Sequence, residues 1–550
     1  MQIKFKDFIS KLFIKYWSIY LFIFILIVQK EINYLFYDIF LTPDLEVYLP
    51  YFKYFFNGEI VNREQGILYY YLHALNYKLF YVNNGFLDIF IHKSIQQVNF
   101  YIFLFGLIGL YKLFKYYNFK ISSIFLTFSF LCLFPPSIAS RLAFKPELLA
   151  FSLFTWIIFL LEKYKYSKDI KLLIYLVPFL ATVFSLKGNV LVIIGLYLLV
   201  NYSIYVFRAN RKALFIVFLI FISNLTFIYL ENNSVTNMNL LDTQSGSTLE
   251  NKYDYKASPS IIYKTNLFKL FTSPIKHNHA NSFIGITLLE TTGDYFDLFW
   301  DNDASMFFKN RYEIISFEES KKISAPILKS NPFKFVIFQQ NLTDVYLYEA
   351  IGLLISIYLF FLLFKLLICD QDFIKFYLAI FFGMLILLIH VITGFPKNNF
   401  DPLVGDTFKP LYYSFVFVFS FAFVIIRGIE LKVIKKYQLL LYGIIIIFLI
   451  GFPKIYNYEV QSQIAPKIQA SIFCELDKKI FLENSEFVNT NCQIKRSQDI
   501  DKVGEENFTH KPVNLINILL ILLISFKFVF EKNHTEALNS FSSSKKIKQK

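Results

Sequence analysis

Long apolar runs alternate with short polar turns along most of this chain. Runs of about 16 to 22 residues suffice to cross a hydrocarbon core about 30 Å thick as helices. About twelve are present, centred at 13–28, 99–114, 121–134, 148–161, 172–186, 190–207, 214–230, 348–367, 376–393, 411–426, 439–452 and 515–530. No water reaches such a core, so backbone N–H and C=O groups must bond within the segment and helix is the expected form. The pattern predicts an all-α polytopic membrane protein with about 12 transmembrane helices.

The polar remainder divides the chain. Residues 1–230 form an N-terminal membrane core with a long first outer loop at 30–98. A larger second outer loop follows at 231–346, then C-terminal membrane helices at 347–452, an extracytoplasmic segment at 453–512, and a last span with a basic tail at 513–550. Within the first loop, 44–58 and 67–80 mix aromatic, aliphatic and polar residues at lengths suited to juxtamembrane helices lying along the surface. In the second, 232–260 is rich in Asn, Ser and Thr and reads as loop, whereas 277–311 is denser in aromatics.

Composition agrees with a lipid solvent. A 56% hydrophobic content over 550 residues exceeds what a soluble surface permits. The net charge of +14 raises the question of nucleic acid, but no soluble segment carries a basic stripe with interleaved aromatics or a recognition motif. The cations fall instead in alternate turns: Lys112, Lys115 and Lys120; Lys163, Lys165, Lys168 and Lys171; Arg208, Arg211 and Lys212; Arg427, Lys432, Lys435 and Lys436. That alternation, with Lys4, Lys6, Lys11 and Lys15 before the first run and Lys545, Lys546, Lys548 and Lys550 in the tail, places both termini in the cytoplasm of a multi-pass protein of the plasma (inner) membrane. No small-residue cleavage site follows the first run, so it is read as a retained span. The 69 Phe and 38 Tyr are spread over spans, loops and tail alike, so no aromatic is given functional weight by its type.

Candidate chemistry collects on the outer side. Asp44 and Glu46 follow the first span in Thr42-Pro43-Asp44-Leu45-Glu46-Val47-Tyr48. A partly desolvated carboxylate at the membrane edge has a raised pKa and can act as a general base toward a hydroxyl. Taken alone, Asp after Thr-Pro reads better as a helix cap. Four cations stand where spans emerge on a side that is otherwise poor in them: Arg141 and Lys145, Lys187, and Lys409. Each suits a phosphate at headgroup depth, Arg by a bidentate fork and Lys as a point charge. Singly, each is better explained by snorkelling or by contact with lipid phosphate; four at one level strengthen the case for a specific anion.

In the second loop, Asp294, Asp297 and Trp300 lie in an alternation of acids and aromatics that suits sugar recognition, and suits docking of the loop on the membrane domain somewhat better. Its acids lack the glycine and terminal Glu of a calcium loop, and His277 and His279 make a poor zinc site. Cys474 and Cys492 share the last outer segment, where either a disulfide closing a loop of about 18 residues or two unpaired thiols fits.

These features together resemble the GT-C superfamily of integral-membrane glycosyltransferases. The resemblance rests on Asp44, Glu46, Tyr48 and Gly58 after the first span, on 66–75 as a second surface helix, on the basic-Pro-Glu element Arg141 to Glu147, and on the lysine turn Ser185-Leu186-Lys187-Gly188. It is best over about residues 10–230 and thin beyond, where Lys409-Pro410-Leu411-Tyr412-Tyr413 stands for the family's late basic-aromatic element. The two acids are separated by Leu45, where many members have them adjacent, so either carboxylate can match the catalytic one. The resemblance implies a polyprenyl-phosphate-linked sugar donor, membrane lipids as surroundings, and a glycan, lipid or protein as acceptor. It also implies Asp44 as base and Arg141, Lys145, Lys187 and Lys409 as phosphate contacts. No nucleotide loop is needed; no cofactor is singled out, and a divalent metal held in part by Glu46 is compatible with it, although one carboxylate pair does not establish a metal site. A lipid-linked glycan polymerase and a flippase or transporter are the competing readings. The former relies on outer-face arginines, which are few here, and the latter on ionisable groups near mid-membrane, where His390 stands almost alone.

Overall fold

The structure is a computed structural model that describes residues 16–27, 51, 54–56, 66–81, 88–207, 211–236, 254–255, 259–272, 279, 282–292, 342–393, 395–396, 410–433 and 515–531. The expected run at 439–452 lies outside these residues; each of the others carries a helix. In chain order they are α1 (Tyr16–Ile27), α2 (Ile67–Phe80), α3 (Asp88–Tyr116), α4 (Ile121–Leu133), α5 (Pro135–Leu142), α6 (Glu147–Ser167), α7 (Ile170–Phe184), α8 (Gly188–Phe207) and α9 (Arg211–Thr236). After the second loop's short α10 (Leu267–Thr272) and α11 (Phe283–Thr292) come α12 (Leu342–Cys369), α13 (Ile374–Thr393), α14 (Ser414–Glu430) and α15 (Leu515–Phe530). Among the described residues, five segments are long and apolar enough to cross a membrane by themselves: 94–116, 188–206, 214–231, 352–369 and 371–389. The chain is a multi-pass helical membrane protein.

α14 explains how the bundle is centred. It reads Ser-Phe-Val-Phe-Val-Phe-Ser-Phe-Ala-Phe with no polar stripe, and a helix apolar on every side belongs in a core. Ser414 to Ile426 are all buried, and the helix touches α4, α6, α12 and α13. Phe423 stacks on Phe376 at 4.1 Å and Phe419 meets Phe154 edge-on at 4.8 Å.

Lipid gives apolar helices little reason to prefer one another over acyl chains, so association depends on close packing and on polar side chains that bond across. α3 and α6 use both. Gly106 and Gly109 let the backbones approach, and a Cβ added at Gly109 would stand 2.5 Å from Thr155 Oγ1. The same face donates Thr155 Oγ1 to Gly106 O at 3.1 Å and Trp156 Nε1 to Phe105 O at 3.1 Å. Ser420 Oγ likewise joins α14 to α13, donating to Phe376 O at 3.0 Å and accepting from Ile380 N at 2.9 Å.

The turns sort to two ends as their charges predict. At the lysine-rich end, Lys112 bonds Val529 O, Lys163 pairs with Glu531, and the N–H of Lys120 bonds Glu430. Two buried acids are neutralised there. Glu162 accepts Tyr117 Oη at 2.5 Å and Tyr202 Oη at 2.6 Å, and pairs with Lys375. Asp370 takes Arg427 through both oxygens, at 2.6 and 2.7 Å, together with Tyr377 Oη at 2.5 Å. The turns carrying Arg141, Lys145 and Lys187 gather at the opposite end. There α2 is a helix over the expected residues, but it does not lie open on a surface: Ile67 to Tyr71, His73, Ala74, Asn76 and Tyr77 are buried. A two-residue antiparallel pairing, Asp254 with Pro396 and Tyr255 with Phe395, ties the second loop to the outer end of α13.

Removing Arg427 strands the Asp370 carboxylate in a site only 5% exposed. Arg427→Met is expected to destabilise the protein by about 3–5 kcal/mol, and Asp370→Leu placed in the same chain to recover most of that. Thermal unfolding of the detergent-solubilised single and double variants measures both.

Candidate functional site

The site begins with a break between helices. Pro135 opens α5, since proline fits a first turn and cannot continue α4. α5 ends at Leu142, and Ala143 to Pro146 make a tight turn before α6. Arg141 folds back from this turn into the protein. Its Nη2 donates to Cys132 O at 2.6 Å, its Nε to Ser137 O at 3.2 Å, and its guanidinium lies 4.8 Å over the Phe103 ring. A cation on the last carbonyls of α4 satisfies groups the helix leaves open and favours the negative end of its dipole. Arg141 is 1% exposed, so its place is inside the wall rather than on the surface.

Lys145 and Lys187 behave differently. Lys145 Nζ sits 5.0 Å from the ring centroid of Tyr412, and Lys187 Nζ sits 5.2 Å from the same centroid. Three turns far apart in sequence thus converge on one aromatic ring, whose negative face attracts both ammonium groups. Tyr412 is held by the short 3-10 turn Pro410–Tyr413, and its carbonyl accepts Asn189 Nδ2 at 3.0 Å. Glu147, the first residue of α6, completes the group. Its Oε1 accepts Lys187 Nζ at 2.7 Å, and its charge suits a helix N-terminus. Oε2 is buried and has no hydrogen-bond partner among the described residues. Lys145 and Glu147 are almost wholly buried. Charges so placed act through a lower dielectric than water and attract an anion more strongly than exposed ones do.

A second network fixes the turn from below. Asn99, on α3, donates through Nδ2 to Arg141 O at 3.0 Å and Ala143 O at 2.9 Å. That leaves its Oδ1 to accept Tyr69 Oη at 2.9 Å and His73 Nε2 at 3.0 Å, so the amide is used to capacity. His73 Nδ1 is 2.7 Å from Tyr69 O, also an acceptor. A neutral imidazole has one N–H for these two acceptors; hydrogen bonding therefore favours the charged ring, and burial opposes it. Burial wins and lowers the His73 pKa to about 4. Burial, helped by the charge of Glu147, also raises the Tyr69 phenol well above its usual value.

The first outer loop is pinned to this end by close contact. Gly66 N donates to Leu186 O at 3.0 Å, and a Cβ at Gly66 would overlap the Ser185 carbonyl oxygen. Glycine is what lets this strand of chain touch the lysine turn. Tyr51, seven residues beyond Asp44, stacks on Tyr70 of α2 at 4.3 Å.

Of the residues singled out from sequence, Arg141, Lys145 and Lys187 therefore share one end, and the last two share one ring. Asp44, Glu46, Lys409, Asp294, Asp297, Trp300, Cys474 and Cys492 lie outside the described residues. Cys132 is buried in α4 and Cys369 is exposed at the end of α12, both as free thiols. Sequence reasoning missed Tyr412 as the meeting point, Glu147 as the partner of Lys187, and Asn99 as the hub. In sequence the Tyr412 stretch is only a thin motif, and Asn99 is marked only as a polar residue in an apolar run.

Two outcomes follow. Gly66→Ala is expected to loosen the first loop and expose α2, seen as faster proteolysis within 30–98. Because the folded His73 pKa lies below its unfolded value near 6.5, its contribution is complete above that value and is lost as the pH falls toward 4. Acidification from pH 7.5 to 5 is expected to remove about 2 kcal/mol; in His73→Gln the melting temperature should lose that part of its pH dependence.

No family model matches the sequence, and no curated protein matches it. Among solved structures, the chain is similar to the crystal structure of ArnT from Cupriavidus metallidurans bound to undecaprenyl phosphate, with 11% identity over 87% of this chain and 84% of that one and a TM-score of 0.37.

Proposed function

We propose that the protein is a membrane glycosyltransferase that moves a sugar from a polyprenyl-phosphate-linked donor to an extracytoplasmic acceptor, a cell-surface glycan, lipid or protein. The observation that carries this reading is the convergence of Lys145 and Lys187 on the Tyr412 ring, at the end of the bundle opposite the lysine-rich turns. A phosphate attached to a membrane-embedded chain presents its charge at that depth, and two ammonium groups fixed on one ring suit it.

In this reading Asp44 accepts the proton of the acceptor hydroxyl while that oxygen attacks the anomeric carbon of the sugar. The bond from that carbon to the phosphate oxygen breaks, the configuration inverts, and polyprenyl phosphate leaves with the bonding electrons. Lys145 and Lys187, with Lys409, offset the charge that grows on the departing phosphate. Arg141 supports the same turn from inside the wall. Glu46 orients the acceptor, and Asp294, Asp297 and Trp300 supply hydroxyl contacts and a stacking face for sugar. A seven-residue tether from Tyr51 spans at most about 25 Å, which keeps Asp44 within reach of this end. The transport reading has less support: Glu162 and Asp370, two of the buried acids, are each paired with a cation and with tyrosine hydroxyls at the lysine-rich end.

The test is sugar transfer in membranes supplied with polyprenyl phosphate carrying a labelled sugar, with expression and melting temperature checked. Asp44→Asn is expected to lower transfer by about 10² to 10⁴-fold, and Lys145→Met by about 10²-fold or more. Full transfer by Asp44→Asn would exclude it as the base. Movement of the labelled lipid between leaflets without any transfer would select the flippase instead.

A further inference from the structure

The second outer loop presents an apolar face that the site does not use. Ile262, Tyr263, Leu267, Phe268 and Phe271 are 42%, 74%, 63%, 78% and 50% exposed. Ile262 ends a short 3-10 turn, Pro259–Ile262, Tyr263 follows it, and the other three lie in α10. Single exposed apolar residues need no explanation, but five large ones in one short stretch do. Lys264 and Lys269 are exposed among them.

The segment is ordered from beneath. Ile261 is buried in the main core, and Leu270 is 0% exposed in a cluster with Leu289 and Leu353. Asn266 caps α10, its Oδ1 accepting Lys269 N at 2.9 Å, and the hydroxyls of Thr265 and Ser282 share a hydrogen bond of 2.8 Å. The exposed residues are thus the outer side of a docked element.

Its depth can be read from Leu353. The candidate span of α12 runs from Gly352 to Cys369, so Leu353 stands at the start of its apolar stretch, where the helix enters the bilayer. The far end of the same helix leads to Asp370 and Arg427 at the lysine-rich end. α11, which packs on α12, also touches α5 and the Tyr412 turn, so the patch shares the end that holds Lys145 and Lys187.

We propose that residues 259–272 are an interfacial anchor: the aromatic and aliphatic side chains enter the boundary between headgroups and acyl chains of the outer leaflet, and Lys264 and Lys269 meet lipid phosphates. Two observations select lipid as the occupant. The patch is continuous in level with the end of a span, and it joins apolar side chains to cations, the composition of elements that lie in a membrane surface. The anchor holds the start of the second loop at the bilayer surface beside the site, and it does not depend on the chemistry performed there.

The experiment uses the full chain in nanodiscs, which leave both faces open to an aqueous quencher. Phe268→Trp adds one indole to the three native tryptophans, and the difference from the parent protein reports it. The expected result is blue-shifted emission, quenching by phosphatidylcholine brominated high on the acyl chain more than by lipid brominated deep, and protection from iodide. Iodide quenching without bromine quenching would place Phe268 in water; protection from both would mean that protein covers it. Either overturns the anchor. Changing Lys264 and Lys269 to Glu should weaken the bromine quenching more in nanodiscs containing phosphatidylglycerol than in phosphatidylcholine alone, and an equal effect in the two would overturn the phosphate contacts. Leu199→Trp, on a lipid-facing part of α8 that is 60% exposed, verifies that the quenchers respond.

Discussion

The absence of water from the bilayer core governs this structure. Backbone groups are closed into helices for that reason, and polar side chains must then find protein partners or lie at the ends. Within the bundle the hydroxyls of Thr155 and Ser420 and the indole N–H of Trp156 bond backbone carbonyls of neighbouring helices. Asn224 on α9 and Asn517 on α15 exchange two amide bonds of 2.8 Å. Each polar side chain here is therefore also a statement of which helices are neighbours and in what register. Apolar packing alone, in a lipid solvent, would leave that choice weakly specified.

The same constraint governs how buried acids are held at the two ends. Glu162 takes two tyrosine hydroxyls and a lysine, and Asp370 takes an arginine fork and a tyrosine. Acids so fully engaged define structure, holding the turns of α3, α6, α8, α13 and α14 together. At the opposite end one Glu147 oxygen accepts from Lys187, and the other has no hydrogen-bond partner among the described residues. Lys145 and Lys187 also share an aromatic face, which attracts cations.

Hydropathy and charge made the architecture legible. An apolar run in lipid has few alternatives to helix, and alternation of cations between turns records which turns are neighbours at one end. The bounds of α2 at 67–80 were readable from length and residue mix, yet its burial was not. Tyr69, Tyr70 and His73 look suited to a membrane surface, and only the three-dimensional arrangement of α3 and the Arg141 turn encloses them. Arg141 shows the limit most plainly. A cation at a span end looks the same in sequence whether it meets a lipid phosphate or turns back onto Cys132 O. Convergence on Tyr412 was beyond pattern reading for a related reason: residues 145, 187 and 412 meet through the packing of three turns, and no local spacing encodes that. Asn99 is a polar residue in an apolar run, a signal that something is bonded there but not what.

The stiffness of the site follows from how many independent elements hold one short turn. Ala143 O receives Asn99 and Tyr69, Arg141 O receives Asn99, and the Arg141 side chain is clamped to the end of α4. Lys187 is set by the Glu147 bond and by the approach of Gly66 to the Leu186 carbonyl. Lys145 and Glu147 therefore stand on a backbone restrained from α2, α3 and α4 at once, while Tyr412 comes from the start of α14. A charged group held this way does not have to reorganise when an anion arrives, and pre-organisation of that kind is what makes electrostatic stabilisation effective. The tethering through α2 also means that the first outer loop cannot move far without disturbing the turn that carries Lys145. The two are mechanically joined through Asn99.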